Sequence, residues 1–347
     1  MEHTALILGA GSSKTFGLPL GSELRNTIAR DLNIKFKNWG TDLLSGSYEI
    51  VEALQLLNRS PEGRPGDINP HRLAAVEIAE AMPLSSSIDE YIERHSDDSK
   101  KAVCAKLAIV KSILDAERRS SIYIDQNTAR SQPLQKATES WLSYFLRDLT
   151  RSYRPENVQH SFDNLTIVNF NYDRCVEHFL YIWLQEVYRL DQAAAAAIVQ
   201  DLSIYHPYGR VAPLDWEDHS NGFGFGAGYS PNSLLRMSEG IRTYSEVFEP
   251  DSGLFEIRKK LGAASTVVFL GFGFHKQNMD ILEVGETRER LLRCYATRSG
   301  ISNPRWDVMK GRICKSFGVP SSLLSDYSMD QHCEVLWAEY CDVILSS

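Results

Sequence analysis

The sequence predicts an α/β fold, built on a doubly wound and mostly parallel sheet that carries a large helical insertion. Three observations predict it. Short apolar runs rich in β-branched residues, at 4–8, 165–170 and 266–270, read as buried strands. Each is followed by glycine or a small polar residue and then by helical spacing, the alternation that gives a parallel sheet covered on both faces. Between about residues 40 and 160 β-branched runs are scarce and helical spacing prevails, which sets that stretch apart.

Taken in order, the first strand covers residues 4–8 and runs into Gly9-Ala10-Gly11-Ser12-Ser13, a glycine turn where a helix should begin. A helix is expected over 22–32, with Leu24, Ile28 and Leu32 one turn apart. Residues 48–57, 72–82, 102–118 and 134–153 show helical spacing, with loops around 61–66 and 96–99. A strand over 165–170 leads to one long helix from 174 to about 200, and a short strand over 203–205 ends at His206-Pro207-Tyr208-Gly209. A glycine-rich loop over 222–228 and helices near 234–244 and 254–261 precede the strand over 266–270, which ends in Gly271-Phe272-Gly273. Beyond it helices and short strands alternate. The resulting division is a Rossmann-like core over 1–36 and 160–347, interrupted by a mostly helical insertion over 37–159.

Composition narrows the function. The chain has 347 residues, of which 43% are hydrophobic and 24% charged, as in ordinary soluble proteins. Its 37 Lys and Arg against 45 Asp and Glu give a net charge of −8, so no direct nucleic-acid footprint is expected. The cysteines, Cys104, Cys175, Cys294, Cys314, Cys333 and Cys341, form no C-x-x-C pair, which argues against a zinc ribbon or a thioredoxin motif and for a protein without metal. No apolar run approaches the ~18 residues that span a bilayer. Met1-Glu2-His3 is no basic leader region, and a reduced, cytoplasmic protein is the expectation.

Parallel sheets bind ligands at the carboxyl ends of their strands. The Gly9 turn, Asn171, His206 and the Gly271 turn each follow an expected strand. Glycines let a backbone approach a pyrophosphate, and a helix N-terminus offers unpaired N–H groups. The turn is not the dehydrogenase fingerprint, because Lys14 stands at the sixth position of G-x-G-x-x-G and the acidic residue about 20 positions on, Asp31, falls inside a helix. It is not a Walker A loop either, since Ser13 precedes Lys14-Thr15 where glycine is required. A tight turn without ligand is the competing reading. Taken alone, Asn171 and Asp173 read better as helix caps, and His206 as either a structural histidine or a group poised near neutrality. His275 has no partner visible in sequence.

Together and in this order, these clusters resemble the sirtuin-like family of NAD-consuming proteins. Gly9-Ala10-Gly11-x-Ser13-x-x-x-Gly17-Leu18-Pro19 is similar to the G-A-G-x-S-x-x-x-G-I-P cofactor loop, Asn171-Tyr172-Asp173 to the family's N-x-D, and His206 to its catalytic histidine. Gly271-Phe272-Gly273 stands where sirtuins carry a G-[TS]-S ribose loop, with Gly273 in the place of the serine. The resemblance covers about residues 4–35 and 160–300. After Pro19 the deacylase D-F-R is replaced by Leu20-Gly21-Ser22, and the four-cysteine zinc module is missing. Ser87-Ile88-Asp89-Glu90-Tyr91 resembles the S-I-D-x-[FY] segment of bacterial antiphage sirtuin-like effectors.

The resemblance implies an NAD glycohydrolase that cleaves NAD, as its substrate, to nicotinamide and ADP-ribose, with an antiviral role through NAD depletion. By resemblance, Asn171 orients the ribose or the attacking water, His206 accepts a proton, and Asp173 holds the carboxamide. Gly9, Ala10, Gly11, Ser12, Ser13 and Pro19 cradle the pyrophosphate, and Gly271, Phe272 and Gly273 pass the adenosine ribose. A non-catalytic NAD or ADP-ribose sensor, or less readily a protein deacylase, uses the same residues. The resemblance also implies oligomers, some with a HerA-type hexameric ATPase as partner. Separately, the amphipathic helices of residues 40–160 carry no recognisable site and suggest a homo-oligomer built through that block, a cap that only completes the core being the competing reading.

Overall fold

The computed structural model describes residues 2–37, 42–64, 66–125, 133–285 and 287–346. Pro65, within the loop expected over 61–66, lies outside the described residues. The central strand is β1 (Thr4–Leu8), all five residues of which are buried. A one-turn helix α1 (Ala10–Ser13) and α2 (Gly21–Leu32) follow, then an antiparallel ribbon of β2 (Lys35–Phe36) and β3 (Leu43–Ser45). The helical block contains α3 (Tyr48–Leu57), α4 (Asn69–Ala81), α5 (Ile88–Arg94), the long α6 (Ser99–Arg119) and α7 (Trp141–Thr150). After β4 (Leu165–Asn169) come α8 (Cys175–Tyr188), α9 (Gln192–Asp201) and the short β5 (Ser203–Tyr205). Three further helices, α10 (Pro231–Ser238), α11 (Tyr244–Val247) and α12 (Leu254–Ala263), lead to β6 (Thr266–Leu270). The chain then runs through α13 (Lys276–Ile281), β7 (Leu292–Thr297), α14 (Asn303–Ser316), β8 (Leu324–Met329) and α15 (Cys333–Ser346).

The six-stranded sheet is parallel throughout and ordered β5-β4-β1-β6-β7-β8. Counting only these strands along the chain, the order is 3-2-1-4-5-6, that of a Rossmann-like doubly wound sheet. The direction of winding reverses between β1 and β6, so the crevice beyond the carboxyl ends of those two strands is the topological switch point.

Both faces of the sheet are covered, and the period-two alternation of β1 shows it. Ala5 and Ile7 face a core shared with α2 to α6 and α10 to α14, while Leu6 and Leu8 face α7, α8, α9 and α15. The helical block thus contributes to both layers: α6 lies in the first, and α7 packs on α15 in the second. No described helix is long and apolar enough to cross a membrane.

Three expected helices come out differently, one of them near 234–244, where α10 ends at Ser238 and Ile241 forms a β-bridge to Gly209. The helix expected over 174–200 is two, because Arg189 takes a left-handed conformation at φ 55° and Asp191 caps a new helix by accepting the Ala194 N–H at 2.8 Å. Helical spacing continued through the break, since the Ala-rich second helix has no polar face to reveal a change of axis. The helix expected over 134–153 is confined to α7, where Ser140 accepts the Ser143 N–H and starts it.

The glycine-rich loop over 222–228 is fastened from below by a fully buried ion pair. Arg174 Nε donates to Glu117 Oε1 at 3.0 Å and both side chains are 0% exposed. Arg174 also donates to the carbonyls of Pro213, Phe223 and Gly224, and the Gly226 N–H donates to Glu117 at 3.2 Å. His178 stacks on Phe225 with ring centres 4.1 Å apart.

Candidate functional site

The Gly9 turn, Asn171 and Asp173, His206 and the Gly271 turn all lie at the carboxyl edge of the sheet, each directly after β1, β4, β5 and β6 respectively. The turns after β1 and β6 interlock. Gly9 N–H donates to Leu270 O and Gly11 N–H to Gly271 O, each at 3.0 Å. A Cβ on Gly11 would stand 2.6 Å from Gly271 Cα, and one on Gly271 2.2 Å from Ser12 N. The glycines are therefore required by backbone against backbone. Three of the turn's N–H groups, those of Gly9, Gly11 and Ser12, are occupied within the protein; Ala10, at the first position of α1, has no acceptor inside its own helix.

Asn171 clamps this turn. It is 8% exposed, and its Nδ2 donates to Gly9 O at 3.1 Å, Ser12 Oγ at 3.3 Å and Ser13 Oγ at 3.0 Å. Ser13 in turn donates to the buried Asp173, which accepts the Cys175 N–H at 3.1 Å, the capping pattern that its residue type favours. Burial raises the Asp173 carboxyl above its ordinary range, with these hydrogen bonds acting against the rise. The insertion also reaches the turn: Trp141 Nε1 on α7 donates to Ser12 O at 2.8 Å. Pro19 lies half-buried just ahead of α2.

His206 is held at both ring nitrogens. Nδ1 lies 3.0 Å from Asn171 O and Nε2 lies 2.7 Å from Glu177 Oε1. A carbonyl only accepts, and an ionised carboxylate only accepts, so both bonds form together when both nitrogens carry protons. Glu177 is 3% exposed and shares Oε1 with Arg210 Nη1 at 3.0 Å, while Arg210 Nη2 reaches Glu217 at 3.0 Å.

Burial alone would raise the Glu177 carboxyl, but the His206 ring and the Arg210 guanidinium outweigh it and hold the group at about 2, against an ordinary 4.5. The folded value is the lower, so ionised Glu177 favours folding above pH 4.5, and that contribution is lost as the pH falls from 4.5 toward 2. Denaturant unfolding of wild type and Glu177→Gln is expected to differ near neutral pH by roughly 3 kcal/mol. The difference should shrink on acidification through this window; a gap independent of pH would contradict the assignment.

The loop after β6 carries its own strain. Phe274 is fully buried at φ 52°, an uncommon conformation for a bulky residue, and Arg312 Nη1 donates to its carbonyl at 2.8 Å. Phe272 is buried in an aromatic cluster with Phe269 and Phe274. Gly273 and His275 are exposed, and a Cβ on Gly273 would stand 2.8 Å from the His275 ring, a movable side chain, so a serine there costs little. Gly271→Ala is a different case. At φ 57° and against the Gly11 backbone it is expected to cost at least about 2 kcal/mol in a urea titration. Gly262→Ala, within α12 and with nothing within 4 Å, should be neutral or slightly stabilising.

Sequence reasoning missed Glu177, Trp141 and the Arg174–Glu117 pair. The available signal was Glu177-His178 inside the apolar run of α8, since acids in a buried helix are almost always paired. Asp89, from the Ser87-Ile88-Asp89 segment, accepts a hydrogen bond from Tyr172 OH, so the insertion meets the residue between Asn171 and Asp173. Among the described residues no three of His, Cys, Asp and Glu lie together as a metal site would require. No protein-family model matches this chain, and no curated protein matches it.

Proposed function

We propose that the protein is a sirtuin-like NAD glycohydrolase, which binds NAD as substrate across the carboxyl edge of its sheet and cleaves it to nicotinamide and ADP-ribose. One observation supports the reading: the interlocked glycine turns after β1 and β6 flank the switch point of a 3-2-1-4-5-6 sheet, where such folds take dinucleotides, and Asn171, Asp173 and His206 follow the adjoining strands β4 and β5 on the same edge. The bond to nicotinamide breaks through an oxocarbenium-like transition state, as in glycoside hydrolysis. Its leaving group is already cationic, so no strong general acid is needed. Asn171 orients the ribose or water, and Asp173 holds the carboxamide. His206 serves as proton acceptor in its neutral form, which carries one ring proton and leaves the other nitrogen free once it is released from the Asn171 carbonyl or Glu177; such contacts are commonly rearranged when substrate binds.

Pure protein incubated with NAD is expected to release free nicotinamide. Binding without turnover is the second reading, and the engagement of both His206 nitrogens favours it. Saturable NAD binding without nicotinamide would establish that reading in place of the first.

An NAD-depleting antiviral role belongs to the same proposal, as does self-association, alone or with a HerA-type hexameric ATPase. Supporting self-association, the helical block exposes Leu44 by 68%, Tyr48 by 60%, Leu73 by 55% and Leu84 by 92%. Light scattering at micromolar concentration should show more than one chain per particle; a strict monomer would remove this part.

A further inference from the structure

Beside the edge strand β5 lies a cleft of about 730 Å³, a volume suited to a small metabolite. His206, Glu177, Arg210, Glu217, Arg236 and Arg242 are among its lining residues, whereas residues 9–13, Asn171, Asp173 and 271–273 are not. The acids of this cleft are satisfied from within, with one exception. Asp218 accepts the Ser220 and Asn221 N–H groups, and Glu217 accepts Arg210 and the Leu214 N–H. Glu177 Oε1 is taken by His206 and Arg210, but Glu177 Oε2 is buried with no hydrogen-bond partner among the described residues. The cations are the reverse case. Arg236 is exposed, and Arg242 donates to the Ser252 carbonyl at 2.9 Å; neither forms an ion pair among the described residues.

A buried acceptor without a donor is costly to leave unmet, and guanidinium groups pair strongly with phosphate. The cleft therefore calls for a hydroxyl at Glu177 and an anion at the arginines. An ammonium would also serve Glu177, but it would stand beside the cationic Arg210.

We propose that this cleft binds a phosphorylated sugar, whose hydroxyl donates to Glu177 Oε2 and whose phosphate pairs with Arg236 and Arg242. The proposal stands on the cleft alone and does not depend on NAD cleavage. One ring joins it to the switch-point crevice, since His206 touches Glu177 on one side and the Asn171 carbonyl on the other.

Calorimetric titration with ribose 5-phosphate tests it, with ribose and inorganic phosphate as separate probes. Ribose 5-phosphate is expected to bind saturably below roughly 1 mM, and at least about tenfold more tightly than either fragment. Because Glu177→Gln disturbs a buried ion pair, the arginines carry the decision: Arg236→Gln combined with Arg242→Gln should weaken binding about tenfold or more, with only a small fall in melting temperature from the lost Arg242 bond to the Ser252 carbonyl. Absence of saturable binding, equal affinity for inorganic phosphate, or undiminished affinity in the double variant would each overturn the proposal.

Discussion

Replacing Asn171 with alanine is expected to lower nicotinamide release by roughly 10²- to 10⁴-fold, the range for losing a positioned catalytic group. The substitution acts on the site in two ways. It removes the amide proposed to orient ribose or water, and it releases the three oxygens that Asn171 Nδ2 clamps, on Gly9, Ser12 and Ser13. The second effect should lower stability by about 1–3 kcal/mol, as for other buried hydrogen-bonded side chains. Assayed well below its melting transition, the variant should thus be folded and inactive. If Asn171 serves only as a clamp, the loss of stability will appear while turnover per folded molecule stays near wild type. Nicotinamide release and a melting curve on one preparation distinguish the two outcomes. A folded, fully active Asn171→Ala protein would remove the catalytic assignment.

Arg174→Met should be the most destabilising single change outside the hydrophobic core. It leaves the Glu117 carboxylate, 0% exposed, without its guanidinium, and strips three loop carbonyls of their donor. Breaking one side of a buried pair typically costs 3–5 kcal/mol, because the remaining charge stays in a medium that solvates it poorly. Combining Arg174→Met with Glu117→Leu should restore much of the loss, since replacing both partners with apolar groups is often close to neutral. Urea unfolding measures the stabilities, and limited proteolysis within 222–228 reports whether the loop has come loose. A single variant as stable as wild type would show that the loop is held by its other contacts, among them the stacking of Phe225 on His178.

The strands of the sheet were legible because burial on both faces leaves a continuous apolar run, and Thr4–Leu8 and Thr266–Leu270 are fully buried throughout. The strand ends were legible for the same reason, as the first residues at which glycine or polar side chains return. Element boundaries were less so. The break at Arg189 depends on a left-handed residue that is not glycine, and nothing in its side chain announces it. Contacts between distant segments were invisible as well. No spacing rule connects Trp141 to Ser12, Glu117 to Arg174, or Asp89 to Tyr172, because each bond is set by how the helical block packs on the sheet. The glycines show the reverse problem. Their presence was plain, but one glycine pattern serves a phosphate and a close backbone contact alike, and the approach of Gly11 to Gly271 is set by segments distant in sequence.

The position of β1 has a consequence for how the chain is made. The strand at the centre of the sheet precedes both of its neighbours in the chain, since Thr4 pairs with Leu165 on one side and Thr266 on the other. Until Thr266–Leu270 has been synthesised, β1 lacks its second neighbour, and closing such long loops slows folding. The helices of the block between, whose contacts are local, are free to assemble early. A nascent chain therefore carries β1 as an apolar strand without its neighbours until those distant segments have been made, an interval in which chaperone capture and aggregation compete with productive folding.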